Sequence, residues 1–241
     1  MKALVFKFSF FEALFKVHYT KAFKLSYPAP LPTTILGMIG NICGYDRRDT
    51  FENLKDFYYG SAMIKGNILE ENATYIQIGK NIKGVTKYQL YNDVEHLIIV
   101  AGNEKMLEEK ILSKIKILDI YEEDNYGKWY NINLTRYLYG GQNDYFAKDF
   151  KILKDLINVE EKKIIKGGYI LVEEINKIDK SVEMQILPVK YNNALKYFAF
   201  IKYIKEDKNE QKNKEIKVEL KNSVKTVFDI PIYSINGFNY L

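Results

Sequence analysis

Tyr27-Pro-Ala-Pro-Leu-Pro-Thr-Thr-Ile-Leu-Gly-Met-Ile-Gly-Asn-Ile-Cys-Gly44 holds three of the chain's five prolines, on alternate positions. A proline fixes its own φ and drives the residue before it toward an extended conformation, so the chain reaches this region stretched and stiff. Thr33-Thr34 is then expected to cap a helix over 33–44, with Ile35, Leu36, Ile39, Ile42 and Cys43 as its apolar residues. Gly37, Gly40 and Gly44 recur at helical spacing on another face. An interior glycine costs a helix about 1 kcal/mol relative to alanine. The repeat therefore predicts a neighbour lying too close to that face for a side chain.

Outward from this stretch, residues 2–9 read as a strand before it. Ser61–Leu69, Thr74–Ile78 and His96–Val100 read as strands after it. Asn103 is placed to cap a following helix with Glu104 in its first turn, and Leu107, Ile111 and Ile115 form an i, i+4, i+8 stripe. The order strand, helix, strands, helix is that of a ferredoxin-like or RNA-recognition-motif sheet. Beyond residue 125 the signal becomes β-rich, with strands expected at 169–172, 182–187, 195–204 and 215–220. Residues 150–164 fit helix and strand equally, and the lysine, acid and amide mixture over 205–215 reads as a solvated hairpin loop. The expected organisation is α+β: a ferredoxin-like domain over 1–125, and a β-rich region over 126–241 packed on it.

At 241 residues and 47% hydrophobic, the chain is long enough and apolar enough to bury a sizeable core. Its 20 tyrosines and 14 phenylalanines make it unusually aromatic. A net charge of +5 permits an anionic partner without demanding one. Nearly all the positive charge is lysine, the arginines being Arg47, Arg48 and Arg136. Cys43 is the only cysteine, which excludes an internal disulfide and fits a reducing compartment. There is no zinc-type spacing, and two histidines alone do not build a metal site. The apolar amino terminus is broken by Lys7, Glu12 and Lys16, and no span is long enough for a membrane. A cytoplasmic location without membrane contact is expected, with neither metal nor cofactor.

Several constellations have the chemistry to meet RNA. Gly79-Lys-Asn-Ile-Lys-Gly-Val-Thr-Lys-Tyr-Gln89 sets Lys80, Lys83, Lys87 and Tyr88 in a glycine-punctuated hairpin near 79–93. Such a hairpin suits phosphate contact and base stacking. The plainer reading is an exposed loop whose lysines only solvate it. Gly140-Gly-Gln-Asn-Asp144 is a turn-forming run: its glycines permit a close backbone approach, and Gln142 and Asn143 offer amides. The alternative is a packed turn, and the run fits no dinucleotide or Walker loop. Arg136 could contact RNA or pair with Asp144. Arg47 and Arg48 sit beside Asp46 and Asp49, as a local ion-pair cluster or as an RNA or subunit contact. His18, Tyr19, Lys21 and Lys24 follow the first strand. A metal-free ribonuclease needs a base for the 2′-hydroxyl and an acid for the leaving oxygen, and His18 with Tyr19 are the candidates here. A lone histidine near aromatics is more often packed or exposed without function, and His96, opening an apolar strand, reads as structural.

The strand Ala3–Phe8, the tyrosine-proline approach and Pro30-Leu-Pro-Thr-Thr-Ile-Leu-Gly-Met-Ile-Gly40 together resemble the amino terminus of the CRISPR-associated Cas-five family, within the RAMP superfamily. Tyr137-Leu-Tyr-Gly-Gly-Gln-Asn-Asp-Tyr-Phe-Ala147 is similar to a second family segment, although it carries an extra glycine and amide residues. The two segments cover about an eighth of the chain, in the family's order and separation. The resemblance implies a ferredoxin-like fold and a thumb over guide RNA at 79–93. It also implies a non-catalytic subunit of a type I (Cascade) antiviral surveillance complex, I-B-like or I-A-like. That subunit would bind the 5′ handle of CRISPR RNA and cap the effector filament, beside a Cas-seven-type backbone subunit and a Cas-eight-type large subunit. The RNA contacts it leads us to expect are Tyr19, Lys24, Arg47, Arg48, Lys80, Lys83, Lys87, Tyr88, Arg136, Gln142 and Asn143. Some family members cleave repeat RNA, so a metal-independent endoribonuclease is the alternative.

Overall fold

The first strand is longer than its expected range because its pairing with a neighbouring strand continues as far as Ala13↔Tyr91. In a computed structural model, which describes residues 1–17, 23–77, 82–133, 138–141, 145–178, 184–203 and 218–238, it runs as β1 over Lys2–Ala13. Leu4, Phe6, Phe8 and Phe10 point to one face and Ala3 and Val5 to the other, all essentially inaccessible to solvent. The short strands β2 (Phe15–Lys16), β3 (Phe23–Lys24) and β4 (Ser26–Tyr27) lead to helices α1 (Pro32–Cys43) and α2 (Arg47–Leu54). Two long strands follow, β5 (Tyr58–Gln77) and β6 (Ile82–Gly102), then α3 (Glu104–Lys110), β7 (Lys116–Asp124) and β8 (Gly127–Asn133). The rest of the chain is β9 (Ala147–Leu153), β10 (Ile157–Asn158), β11 (Glu160–Ile165), β12 (Gly168–Leu171), β13 (Ile175–Ile178), β14 (Met184–Tyr191), β15 (Ala194–Ile201), β16 (Val218–Val227), β17 (Ile230–Pro231) and β18 (Tyr233–Ser234). The chain is thus α+β and dominated by strands. The undecided stretch 150–164 is strand within β9, β10 and β11, interrupted at 154–156 and 159, and the expected loop at 205–215 lies outside the described residues.

The main sheet has the order β18-β5-β6-β1-β9-β8-β7. β1 lies at its centre, antiparallel to β6 on one side and to β9 on the other. Position 125, the expected boundary, falls in the turn between β7 and β8, and both of these strands belong to the main sheet. α1 and α3 cover the phenylalanine face of β1. Val227, Ile230 and Ile232 of the carboxy-terminal segment cover the opposite face, beside Trp129 and Leu153. A three-stranded sheet, β12-β15-β14, adds Phe198 and Phe200 to the first core, so the two halves of the sequence share their hydrophobic interior. Among the described residues no helix is long and apolar enough to cross a membrane.

The proline segment is held in place by side chains. Pro28 and Pro30 have no N–H to donate, and residues 28–31 belong to no strand, so their carbonyls are satisfied by other groups. His96 Nε2 on β6 lies 2.9 Å from the Pro28 carbonyl, Tyr169 on β12 donates to the Ala29 carbonyl, and Ser61 Oγ on β5 donates to the Pro30 carbonyl at 2.7 Å. Tyr27 donates its hydroxyl to Pro188 O on β14 at 2.9 Å. A carbonyl only accepts, so the His96 proton sits on Nε2, and burial pushes the ring's pKa down to about 4. The helix start differs from expectation. Leu31 is the N-cap without a side-chain bond and Pro32 takes the first helical position, where its missing N–H is no loss. Thr33 and Thr34 therefore lie inside the first turn and do not cap it.

Candidate nucleic-acid interface

β5 and β6 pair far beyond the core, and their outer halves form a two-stranded arm. The register from Asn67↔Asn92 to Gln77↔Ile82 is continuous; Leu90 and Tyr91 are still buried, and the stretch from Glu70↔Gln89 outward, at ~3.3 Å per residue, makes the arm about 25 Å long. Bulges between Met63 and Lys65 and between Lys65 and Asn67 bend the pair inside the core, below the arm, where Gly66 takes φ 154°. Side chains alternate across such a ribbon. Lys83, Val85, Lys87 and Gln89 therefore share one face with Glu70, Asn72 and Thr74 from the partner strand. Lys83, Val85 and Lys87 are exposed. The two lysines stand about 13 Å apart along the strand.

Tyr88 lies on the opposite face of the arm from these lysines. β3 pairs in parallel with β6 at Lys87 and Tyr88, and this brings Lys24 onto the tyrosine. The ammonium donates to the Tyr88 hydroxyl and lies 4.4 Å from the ring centroid. The expected cluster is thus divided into a cationic face carrying Lys83 and Lys87 and a Lys24–Tyr88 pair behind it. Lys80, His18, Tyr19, Arg136, Gln142 and Asn143 lie outside the described residues.

Arg47 and Arg48 occupy the first turn of α2, a helix the sequence reading did not anticipate. The local ion-pair cluster does not form: Asp46 is the N-cap and accepts from Asp49 N at 2.8 Å, and among the described residues neither arginine has an ion pair. Both arginines are exposed. Arg47 lines a cleft of about 600 Å³ between α1 and α2, with Thr33, Gly37 and Asn41 on one wall and Tyr45 and Phe51 on the other. The three glycines of α1 turn out to do different things. A Cβ at Gly40 would collide with the Thr50 side chain, so α2 is the predicted close neighbour there. Gly44 ends the helix in the left-handed region at φ 77°. Among the described residues, a Cβ at Gly37 would meet nothing within 4 Å.

Gly140 and Gly141 press against their own chain. A Cβ at either would run into the backbone of β1's carboxy-terminal end, at Glu12 O and Leu14 O respectively. Gly141 also takes φ 98°, and Leu14 N donates to Gly140 O at 2.8 Å. The run is a packed turn at this point. His96 is fully buried between Phe10 and Phe15, so it is positioned as a structural group.

One exposed aromatic was missed. Phe11 is 66% accessible on the second face of β1, with Lys148 Nζ 5.3 Å from its ring centroid. The signal was present, because Phe11 breaks the even alternation of Phe6, Phe8 and Phe10. The charges around it are compensated, Lys7 pairing with Glu95 at 3.3 Å and Lys151 with Asp149 at 3.3 Å. That face is not a cationic surface. Among the described residues no group of three or more His, Cys, Asp or Glu side chains could hold a metal ion.

No protein-family model and no curated protein matches this sequence. Among solved structures, the chain is similar over 84% of its length to 90% of a chain from a CRISPR RNA-guided surveillance complex, at 12% identity and a TM-score of 0.47. A CRISPR protein from Archaeoglobus fulgidus aligns over 100% of both chains at 12% identity, with a TM-score of 0.52. The fold described above is therefore shared, end to end, with a CRISPR protein.

Proposed function

We propose that the protein is a non-catalytic RNA-binding subunit of a CRISPR surveillance complex, of Cas-five type and ferredoxin-like descent. In this reading it holds the 5′ handle of CRISPR RNA and caps the effector filament against a Cas-seven-type backbone subunit and a Cas-eight-type large subunit. The observation that carries the reading is the β5–β6 arm, a solvated ribbon that sets Lys83 and Lys87 on one face beyond the core. The motif at 30–40 and the fold shared with the Archaeoglobus fulgidus protein support it. A basic ribbon tracks a phosphate backbone and leaves base identity to the guide. Arg47 and Arg48 on α2 add forked donors, and the Lys24–Tyr88 pair braces the arm's base.

The test is the salt dependence of single-stranded RNA binding, whose log–log slope is about −0.7 per phosphate contact. Replacing Lys80, Lys83 and Lys87 together by alanine is expected to shallow the slope by about two units. An unchanged slope removes the arm from the interface.

A further inference from the structure

The α1–α2 cleft holds the one glycine of α1 whose lack of a side chain the fold does not explain. Gly40 is required by Thr50 and Gly44 by its left-handed conformation, whereas Gly37 faces open space. The penalty of a helix-interior glycine is thus carried here with no packing in return from the chain itself. What the glycine does is lower the floor of the cleft. The volume of about 600 Å³ lies within the range of small-molecule sites, roughly 300–1,000 Å³. Among the described residues its lining carries one positive charge, Arg47, and no acidic side chain. Tyr45 and Phe51 give it aromatic walls, and Asn41 and Thr33 bring an amide and a hydroxyl. Tyr45 is fixed by its hydroxyl bond to Lys110 O at 2.8 Å, which ties this wall to α3.

We infer that this cleft seats one splayed ribonucleotide of the bound RNA, with the base against the bare backbone of Gly37 and the phosphate on the Arg47 guanidinium. The inference rests on the RNA-binding reading above and adds a second, base-holding site to the phosphate-tracking arm. A planar guanidinium recognises a phosphate through paired N–H donors, and bases pulled out of a stack are held by aromatic walls and short polar side chains. The absence of acid in the lining favours a nucleotide over a cationic side chain from a protein partner.

Gly37→Phe fills the cleft from its floor, and Gly37→Ala is the control. The alanine variant is expected to melt about 2–4 °C higher than the parent, because its Cβ relieves the glycine penalty without touching anything. It should bind RNA as the parent does. Fluorescence anisotropy with a labelled eight-nucleotide single-stranded RNA of randomised sequence should show Gly37→Phe weakened about tenfold, at an unchanged salt slope, since a lost base contact removes no phosphate contact. Arg47→Ala should weaken binding and shallow the slope by about 0.7. Saturation-transfer NMR with the four ribonucleoside 5′-monophosphates should give signal with the parent and none with Gly37→Phe. Equal RNA affinity of Gly37→Phe and parent, with mononucleotide signal unchanged, overturns the inference and leaves the arm's role intact. Mononucleotide signal lost in Gly37→Phe, with no binding of the eight-nucleotide RNA by the parent, supports the cleft and refutes the RNA-binding reading. A Gly37→Phe protein that binds RNA normally but fails to bind a partner subunit assigns the cleft to protein and overturns the inference.

Discussion

The segment Tyr27–Leu31 and the β5–β6 arm are both extended, and both are rich in groups that could meet a ligand, yet they use them in opposite ways. In the proline segment each of three consecutive carbonyls is met by a side chain from a different strand, and those side chains, Ser61, His96 and Tyr169, are themselves buried. Their chemistry is consumed in holding the chain together. On the arm, Lys83 and Lys87 are exposed, and no ion pair is recorded for either among the described residues. A buried donor removed from its acceptor leaves that acceptor unsatisfied, whereas a solvated lysine removed leaves water in its place. Polar side chains thus report on stability in one region and on binding in the other.

That contrast is most exposed to acid. His96 binds its proton near pH 6.5 in the unfolded chain and near 4 in the fold, so its contribution is complete above pH 6.5. As the pH falls from 6.5 toward 4, the unfolded chain takes up the proton first, and stability is expected to fall by about 1.4 kcal/mol per pH unit. Denaturant titrations of the parent and His96→Gln across this range measure it. The glutamine amide still donates to Pro28 O but does not titrate, so the two curves should converge toward pH 4. Parallel curves would mean that His96 takes no part in the acid response.

A smaller effect is expected at Tyr169→Phe. The hydroxyl donates to Ala29 O and accepts from Ala29 N at 3.3 Å in a buried site, so its loss should cost about 1–3 kcal/mol with RNA affinity unchanged. Urea midpoints and anisotropy on the same samples separate the two quantities. Smallest of all, Lys83→Ala with Lys87→Ala should shift stability by no more than about 0.5 kcal/mol while still reducing the salt slope. A marked loss of stability in this double variant would show that the arm, too, is part of the scaffold.

Much of this was legible along the chain. β1, α1, the Asn103 cap and the strands at 61–69 and 96–100 follow from periodicity and capping chemistry, which are local. α2 was missed because Arg47–Leu54 is short and polar and buries only Thr50 and Leu54. The stripe Leu107, Ile111, Ile115 is buried as expected, but α3 stops at Lys110 and a 3₁₀ turn over Leu112–Lys114 carries the chain on. For the site, the lysine spacing was readable, yet the separation of Tyr88 from Lys83 and Lys87 required knowing that the hairpin is regular strand with a side-chain period of two. The different tasks of Gly37, Gly40 and Gly44 depend on where α2 lies, and no local pattern contains that.

The central place of β1 has a consequence for the order in which the protein becomes itself. Leu4 pairs with Val100 and Phe8 with Phe150, so β1 is synthesised well before both of its partners and is among the last strands to be completed. At about 5–20 residues per second, the strand spends roughly 7–30 s after its synthesis before β9 exists to flank it. During that interval three buried phenylalanines and one leucine have at most the β5–β6 pair to join and lack the strand that closes the other edge, and pairings so distant in sequence close slowly even when every strand is present. Birth on the ribosome, more than the finished fold, is where this chain is most dependent on protection from its neighbours.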